Sequence, residues 1–423
     1  MFNQGGLSLE QAPPFLVVLR FFITATTFGL LLGISLLAYG SELFYIDYTT
    51  QITLIHILAI GVMASFMFGA LFQMLPVIAG VVIQTPTKKA MLILALLTTG
   101  LITQLLTFNS NISLLYAVSA FLLGGGLLHA TTIMIRRLVK IADHSTSSKG
   151  MLLALIGFSL AILLGIYLLL SLGGYVDATF LIQAKEAHYS FALFGWVTLL
   201  IVSISFQVVE MFYVTPKYPT LLSNYLPLTL FSLLVLKTVL IFSSINTQMV
   251  DGLLAILFII YAGFTLHRLY KRKRPTSDAT VWFWRLGMGL LIITMLLFLA
   301  DTTVGTDASL KFVSYFTFIG FALSIVFAMM YKIVPFLTWF HLSNQGYIEA
   351  PMMHEVIHPK KAKNHFAIHV TTLLLWGLTA FFSQFYILAS LMVIISFGWL
   401  LYHLIYAMKK YNHTQKHTKK MEW

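Results

Sequence analysis

The 423-residue sequence contains no cysteine. Disulfides, thiolate metal sites and cysteine nucleophiles are thereby excluded. Charge is scarce: Asp, Glu, Lys and Arg make up 9% of the chain, against roughly 25% in a soluble domain. Acidic residues are the scarcer sign, 14 against 26 lysines and arginines. No P-loop, dinucleotide glycine fingerprint or GxSxG elbow is present, which removes the common nucleotide and hydrolase motifs. Met1–Gln11 has no basic n-region and the first apolar run is long enough to span, so no cleavable signal peptide is expected.

What is abundant is apolar surface. Hydrophobic residues reach 59%, and apolar runs near 20 residues recur from end to end, which is the signature of membrane spans. Twelve spans are expected, at about 15–39, 52–82, 90–108, 113–138, 150–172, 186–212, 222–243, 250–271, 281–299, 311–340, 365–386 and 388–408. The net charge of +12 sits in alternate connections: Lys88–Lys89, Arg136 to Lys149, Lys217, Arg268 to Arg274, Lys360 to Lys363, and the tail from Lys409. The positive-inside rule places those connections and both termini on the cytoplasmic side; a bacterial inner membrane is the expected location. That topology accounts for the basic balance, so no nucleic-acid partner is expected; membrane lipid is the expected surroundings.

One stretch occurs three times: His56–Pro76, His188–Phe212 and Lys311–Phe336. Aligned on Gly61, Gly195 and Gly320, each copy has an aromatic eleven residues on (Phe72, Phe206, Tyr331) and a long polar residue next to it (Gln73, Gln207, Lys332). Three further on stand Pro76, Glu210 and Pro335. A repeat of this period across twelve spans implies three four-helix units, about 15–138, 150–271 and 281–408, with a cytoplasmic loop 341–364 and a basic tail 409–423. The fourth helices match as well, through His129, His267 and His403, each ahead of a basic end; interfacial, amphipathic positions are expected for these. A major facilitator would repeat by halves of six helices.

The three-by-four arrangement, with His56 and FGALFQMLP, His188 and LFGWV, and YKIVPFLTWFHL at 331–342, resembles the haem-copper oxidase catalytic subunit (subunit I) superfamily. The similarity extends to its oxidase-subunit-I-like and NnrS-type relatives. The resemblance implies an all-α fold of twelve transmembrane helices in three arcs. It makes His56 the counterpart of the low-spin haem ligand on helix two, and His188 the histidine of helix six. The pattern then breaks: residues 222–243 and 311–340 hold no histidine. Copper is not expected, because one imidazole without a thiolate does not make a copper site, and the second haem has no axial ligand. The implied function is a haem-binding membrane protein with an electron-transfer or NO/O2-linked respiratory role, without oxidase chemistry. His56 and His188 are the candidate iron ligands, with Met63, Met67 and Met74 as further donors on the first copy. On an ideal α-helical wheel, His188 falls about 20° from Gly195 but His56 about 140° from Gly61.

Other residues carry competing readings. Glu210, a carboxylate at membrane depth, can handle protons or bond a quinone, together with or paired to Lys332. Lys237 stands near a helix end and can snorkel. His354-Glu355-Val356-Ile357-His358 fits H-E-x-x-H, the zinc pattern of metalloproteases, but Pro351 and Pro359 bound it closely. The bland alternative is an interfacial turn with Met352, Met353, Val356 and Ile357 toward lipid. A secondary transporter is the alternative from another class, since fold does not fix function. Respiratory subunits are the further partners that the resemblance implies.

Overall fold

The structure, a computed structural model, describes residues 12–40, 48–274 and 278–420. The stretch Met1–Gln11 considered for a signal peptide, and residues 421–423 of the basic tail, lie outside them. Among the described residues all regular structure is helical. In hydrocarbon each backbone N–H and C=O must be satisfied internally, and helices achieve this within one segment. In chain order the long helices are α1 (Phe15–Tyr39), α2 (Thr49–Ala79), α3 (Pro86–Ser110), α4 (Ser113–Leu138), α5 (Thr146–Leu172), α6 (Leu181–Tyr213), α7 (Thr220–Phe242), α8 (Gln248–Tyr270), α9 (Ala279–Val304), α10 (Ala308–Asn344), α11 (Pro359–Thr379) and α12 (Tyr386–His417). Eleven of the helices among the described residues are long and apolar enough to cross a membrane. The chain is therefore a helical integral membrane protein. The helix outside that count is α11, whose first half carries Lys360, Lys361, Lys363, His365 and His369.

Local chemistry sets the ends. Ser145 opens α5 by accepting the Ser148 N–H at 3.1 Å, and Asp307 opens α10 by accepting that of Leu310 at 2.8 Å. His358 caps α11 through Nδ1, which accepts the Lys360 N–H at 3.2 Å, with Pro359 at the first helical position. Gly305, at φ +75°, closes α9 in a conformation that suits glycine. The expected loop 341–364 is shorter than the sequence suggested. α10 continues to Asn344 and α11 begins at Pro359, with only a single turn, Met353–Val356, between them. The basic tail from Lys409 is not a separate segment either, since α12 continues through it to His417.

Among the described residues three spans contain π-helical segments: Ile57–Ala64 in α2, Ala120–Gly124 in α4 and Phe191–Thr198 in α6. Two of these hold repeat glycines, Gly61 and Gly195; the third copy, in α10, is α-helical throughout. π-turns inside α-helices concentrate at functional sites.

The chain forms two compact units. Among the described residues, the first holds 70–273 with 12–13 and 302–304; the second holds 14–40, 48–69, 274, 278–301 and 305–420. In the first unit α5 meets α6 at paired glycines: a Cβ on Gly157 would lie 2.7 Å from the Gly195 carbonyl oxygen. In the second, α1 approaches the α12 backbone through Gly33, where a Cβ would fall 3.0 Å from the Ile394 nitrogen. Small residues that admit close backbones are the usual means of packing membrane helices, where lipid competes equally for apolar side chains.

Candidate functional site

The second unit encloses a cavity of about 480 Å³ between α1, α2, α10, α11 and α12, a size usual for small-molecule sites. Its walls are mainly leucine, isoleucine and phenylalanine. Polar groups gather at two ends. Gln51, Ser309 and Lys311 stand where α2 and α10 begin; His369, Thr372 and Ser396 stand at the other end. From Lys311 to Ser324, which bonds His369, α10 rises about 20 Å at 1.5 Å per residue.

Behind the far end lies a buried polar cluster that the sequence reading did not single out. His365 and His369 are four residues apart, so α11 presents them on one face. Both are buried. His369 Nε2 lies 2.9 Å from Ser324 Oγ, and the Gly320 carbonyl also bonds the ring. His365 Nε2 lies 2.8 Å from Ser396 Oγ, while its Nδ1 has no partner. Phe327 packs on both imidazoles, its centroid 4.8 Å from His365 and 5.1 Å from His369. His403, expected at the interface with His129 and His267, departs from them. It is buried against Trp399 and Tyr402, whereas the other two are exposed. The signal for this cluster was present as two histidines one turn apart, but α11 was expected to begin at 365, which left both at an edge.

His56 is half-buried on α2, one residue before the π-segment. Its Nδ1 donates to the Ile52 carbonyl at 2.8 Å. Leu54, Ile55 and Leu58 around it line the cavity. In the first unit His188 is also half-buried, and its Nδ1 donates to the Ala161 carbonyl of α5 at 2.8 Å. Gly165 makes room for that ring: a Cβ there would come to 3.0 Å from His188 Cε1. In both imidazoles Nδ1 carries a proton and donates it to a carbonyl. Ligating histidines carry the same arrangement, with the remote N–H anchored on a carbonyl. The donor chemistry thus fits an axial haem ligand. The repeat glycines do not add a flat face for a macrocycle, because neighbours fill them. A Cβ at Gly61 would meet the Phe28 ring at 2.6 Å, and one at Gly320 would meet Leu373 at 2.7 Å.

The remaining charged residues have defined partners. Lys332 has a carboxylate partner within its own unit. Its Nζ donates to Asp278 Oδ2 at 2.6 Å, and Asp278 at the same time caps α9 through the Thr280 and Val281 N–H groups. Burial pushes the Asp278 carboxyl up, but the Lys332 ammonium and these hydrogen bonds outweigh it and hold the group below the ordinary carboxylate range. Glu210 Oε1 accepts the Tyr218 N–H at 2.7 Å, fastening the turn after α6. From there hydroxyls run inward: Tyr218 to Thr265 at 3.0 Å, and Tyr261 to Ser205 at 2.9 Å. Lys237 does not snorkel. It is buried, 2.8 Å from Asp251 and 3.6 Å from Glu186.

The H-E-x-x-H residues do not share one helix. Only Met353–Val356 are helical, Ile357 is extended at φ −136°, and His358 faces the next helix as its cap. Glu355 is turned back on the Met352 N–H at 2.8 Å. Met352 and Met353 are exposed, but Val356 and Ile357 are buried in the protein and do not face lipid. Among the described residues no three His, Asp or Glu side chains converge as a metal-holding group. No protein-family model and no curated protein matches the sequence.

Proposed function

We propose that the chain is a haem-binding inner-membrane protein built as a divergent relative of the oxidase subunit I superfamily. In this reading it has twelve spans in three four-helix units and both termini in the cytoplasm. Its role is electron transfer or NO/O2-linked respiration, alongside respiratory subunits or a quinone pool. The observation that carries this reading is the state of His56. It stands on the second helix, one residue before a π-segment, with Nδ1 anchored on a carbonyl. His188, in the same tautomer on the sixth span, is the second candidate and is tested on its own. A bound haem would supply one-electron chemistry. The chain's part is to hold the imidazole orientation and keep bulk water away, for which the buried phenylalanines around α1 and α2 are suited. The lack of histidine in 222–243 and 311–340 weighs against oxygen reduction in this reading.

A reduced-minus-oxidised visible spectrum of the purified chain, expressed with ample haem supply, decides the matter. A Soret band that His56→Ala abolishes or converts to high spin is the expected result. His188→Ala should alter the spectrum or its carbon monoxide response only if that imidazole is also a ligand. A chain with no Soret band overturns the reading and leaves the secondary transporter in front.

A further inference from the structure

The hydrogen bonds at the far end of the cavity leave one donor short of an acceptor. His365 is fully buried, its Nε2 faces Ser396 Oγ, and its Nδ1 has no hydrogen-bond partner among the described residues. Within the protein, either the hydroxyl donates to Nε2 and an Nδ1–H is unmet, or Nε2–H donates to the hydroxyl and the Ser396 O–H is unmet. Ser396 is 3% exposed and borders the cavity, with that imidazole as its partner among the described residues. An acceptor supplied from the cavity takes the Ser396 O–H and leaves only a lone pair on Nδ1 unmatched, which costs less than an unmet N–H. No cation lines this end, while the two imidazoles are neutral donors or acceptors already engaged with serines. An anionic group has nothing to neutralise it there, whereas a carbonyl oxygen has a donor.

The rest of the cavity describes the remainder of the ligand. Phe316, Phe327 and Phe397 line it, and Trp376 stands toward the opposite end. Ile55 of α2 and Tyr315 of α10 border it and are exposed, 58% and 66%. Each lies about 10 Å along its helix at 1.5 Å per residue, so the opening between them is on the apolar flank. We propose that this cavity binds a neutral, tail-bearing carbonyl compound dissolved in the membrane, the chemical class to which membrane quinones belong. The carbonyl accepts from Ser396 Oγ–H, the body lies among the phenylalanines, and the tail leaves between α2 and α10. The site stands apart from the haem reading, because His56 itself does not line the cavity.

The test uses the full chain in detergent with 2-decyl-1,4-benzoquinone, read by equilibrium dialysis and by quenching of tryptophan fluorescence. Decylbenzene, which has the tail but no acceptor, is the competitor. Binding is expected, weakened roughly tenfold by Ser396→Ala, the loss of one hydrogen bond in a buried site. Leu323→Trp, which fills the cavity, should abolish it, with Leu323→Phe as the milder variant if the first fails to purify. Decylbenzene should compete about equally with the quinone in Ser396→Ala but poorly in the parent. A visible spectrum recorded on the same sample keeps the two readings apart, since quinone binding is scored whether or not a Soret band is present. Absence of binding to the parent chain overturns the proposal. So does equal binding in the parent, Ser396→Ala and the filled variant, which is the signature of partition into the micelle.

Discussion

A lysine inside a membrane helix is costly unless a carboxylate meets it, and Lys237 is met by two. Asp251 lies at 2.8 Å and is itself held by Thr247 Oγ1 at 2.7 Å; Glu186, about a third exposed, stands at 3.6 Å. Removing one member of a buried pair leaves an uncompensated charge, which typically costs about 3–5 kcal/mol. Lys237→Met is therefore expected to lower the thermal midpoint of the purified chain sharply. Adding Asp251→Asn should recover most of the loss, and a double variant no more stable than the single would show that the charges do not interact. Asp278 tests the same chemistry by pH. A carboxyl depressed in the folded state stabilises above its unfolded pKa of about 3.9, and the contribution is lost as pH falls through the folded value. The parent should thus lose stability below pH ~4. Asp278→Asn should start less stable at neutral pH and show a smaller decline there, measured by unfolding at stepped pH. Neither partner is legible in the sequence: Lys237 near a helix end suits snorkelling, and nothing local ties Lys332 to Asp278, 54 residues away along the chain.

At the scale of the element, glycine placement carries more than propensity. Gly157 faces backbone on α6, which cannot rotate aside. Gly157→Ala should cost about 1–3 kcal/mol, the range for overpacking. Gly263, which has nothing within 4 Å of an added Cβ, should accept alanine with no loss, or with a gain of up to about 1 kcal/mol from helix propensity. Thermal unfolding of the two variants side by side gives the comparison. Equal midpoints would mean that α5 and α6 do not depend on the close approach. The π-segments remove the basis of the wheel comparison. An i→i+5 turn holds more residues than an α-turn, so a 100° step does not apply between His56 and Gly61, where residues 57–61 are all π-helical. The apparent mismatch of about 140° on an α-helical wheel therefore says nothing about whether His56 and His188 are equivalent.

For the whole molecule, the alternating charge pattern predicts reporter fusions after residues 45, 110, 176, 246, 305 and 387 to read outside. Fusions after 87, 145, 218, 275, 355 and 415 should read inside. Fusions at 355 and 387 bracket α11, the long helix that falls outside the eleven apolar ones. Equal readings there would remove that span and the three-by-four count with it. The membrane class, the helical fold and ten of the span positions were legible in the sequence to within a few residues of the helices found. They depend on a one-dimensional quantity, the run of apolar side chains long enough to match a bilayer. The histidine–serine cluster behind the cavity, the lysine held by Asp251 and the ion pair at Asp278 were not legible. Each joins residues that share no local pattern, from His365 and Ser396 on adjacent helices to Ser324 and His369, 45 positions apart. Burial along a helix is determined by the chain's own composition. Which polar groups meet inside depends on how helices rotate and where glycines let them close, and only the packed tertiary structure determines that.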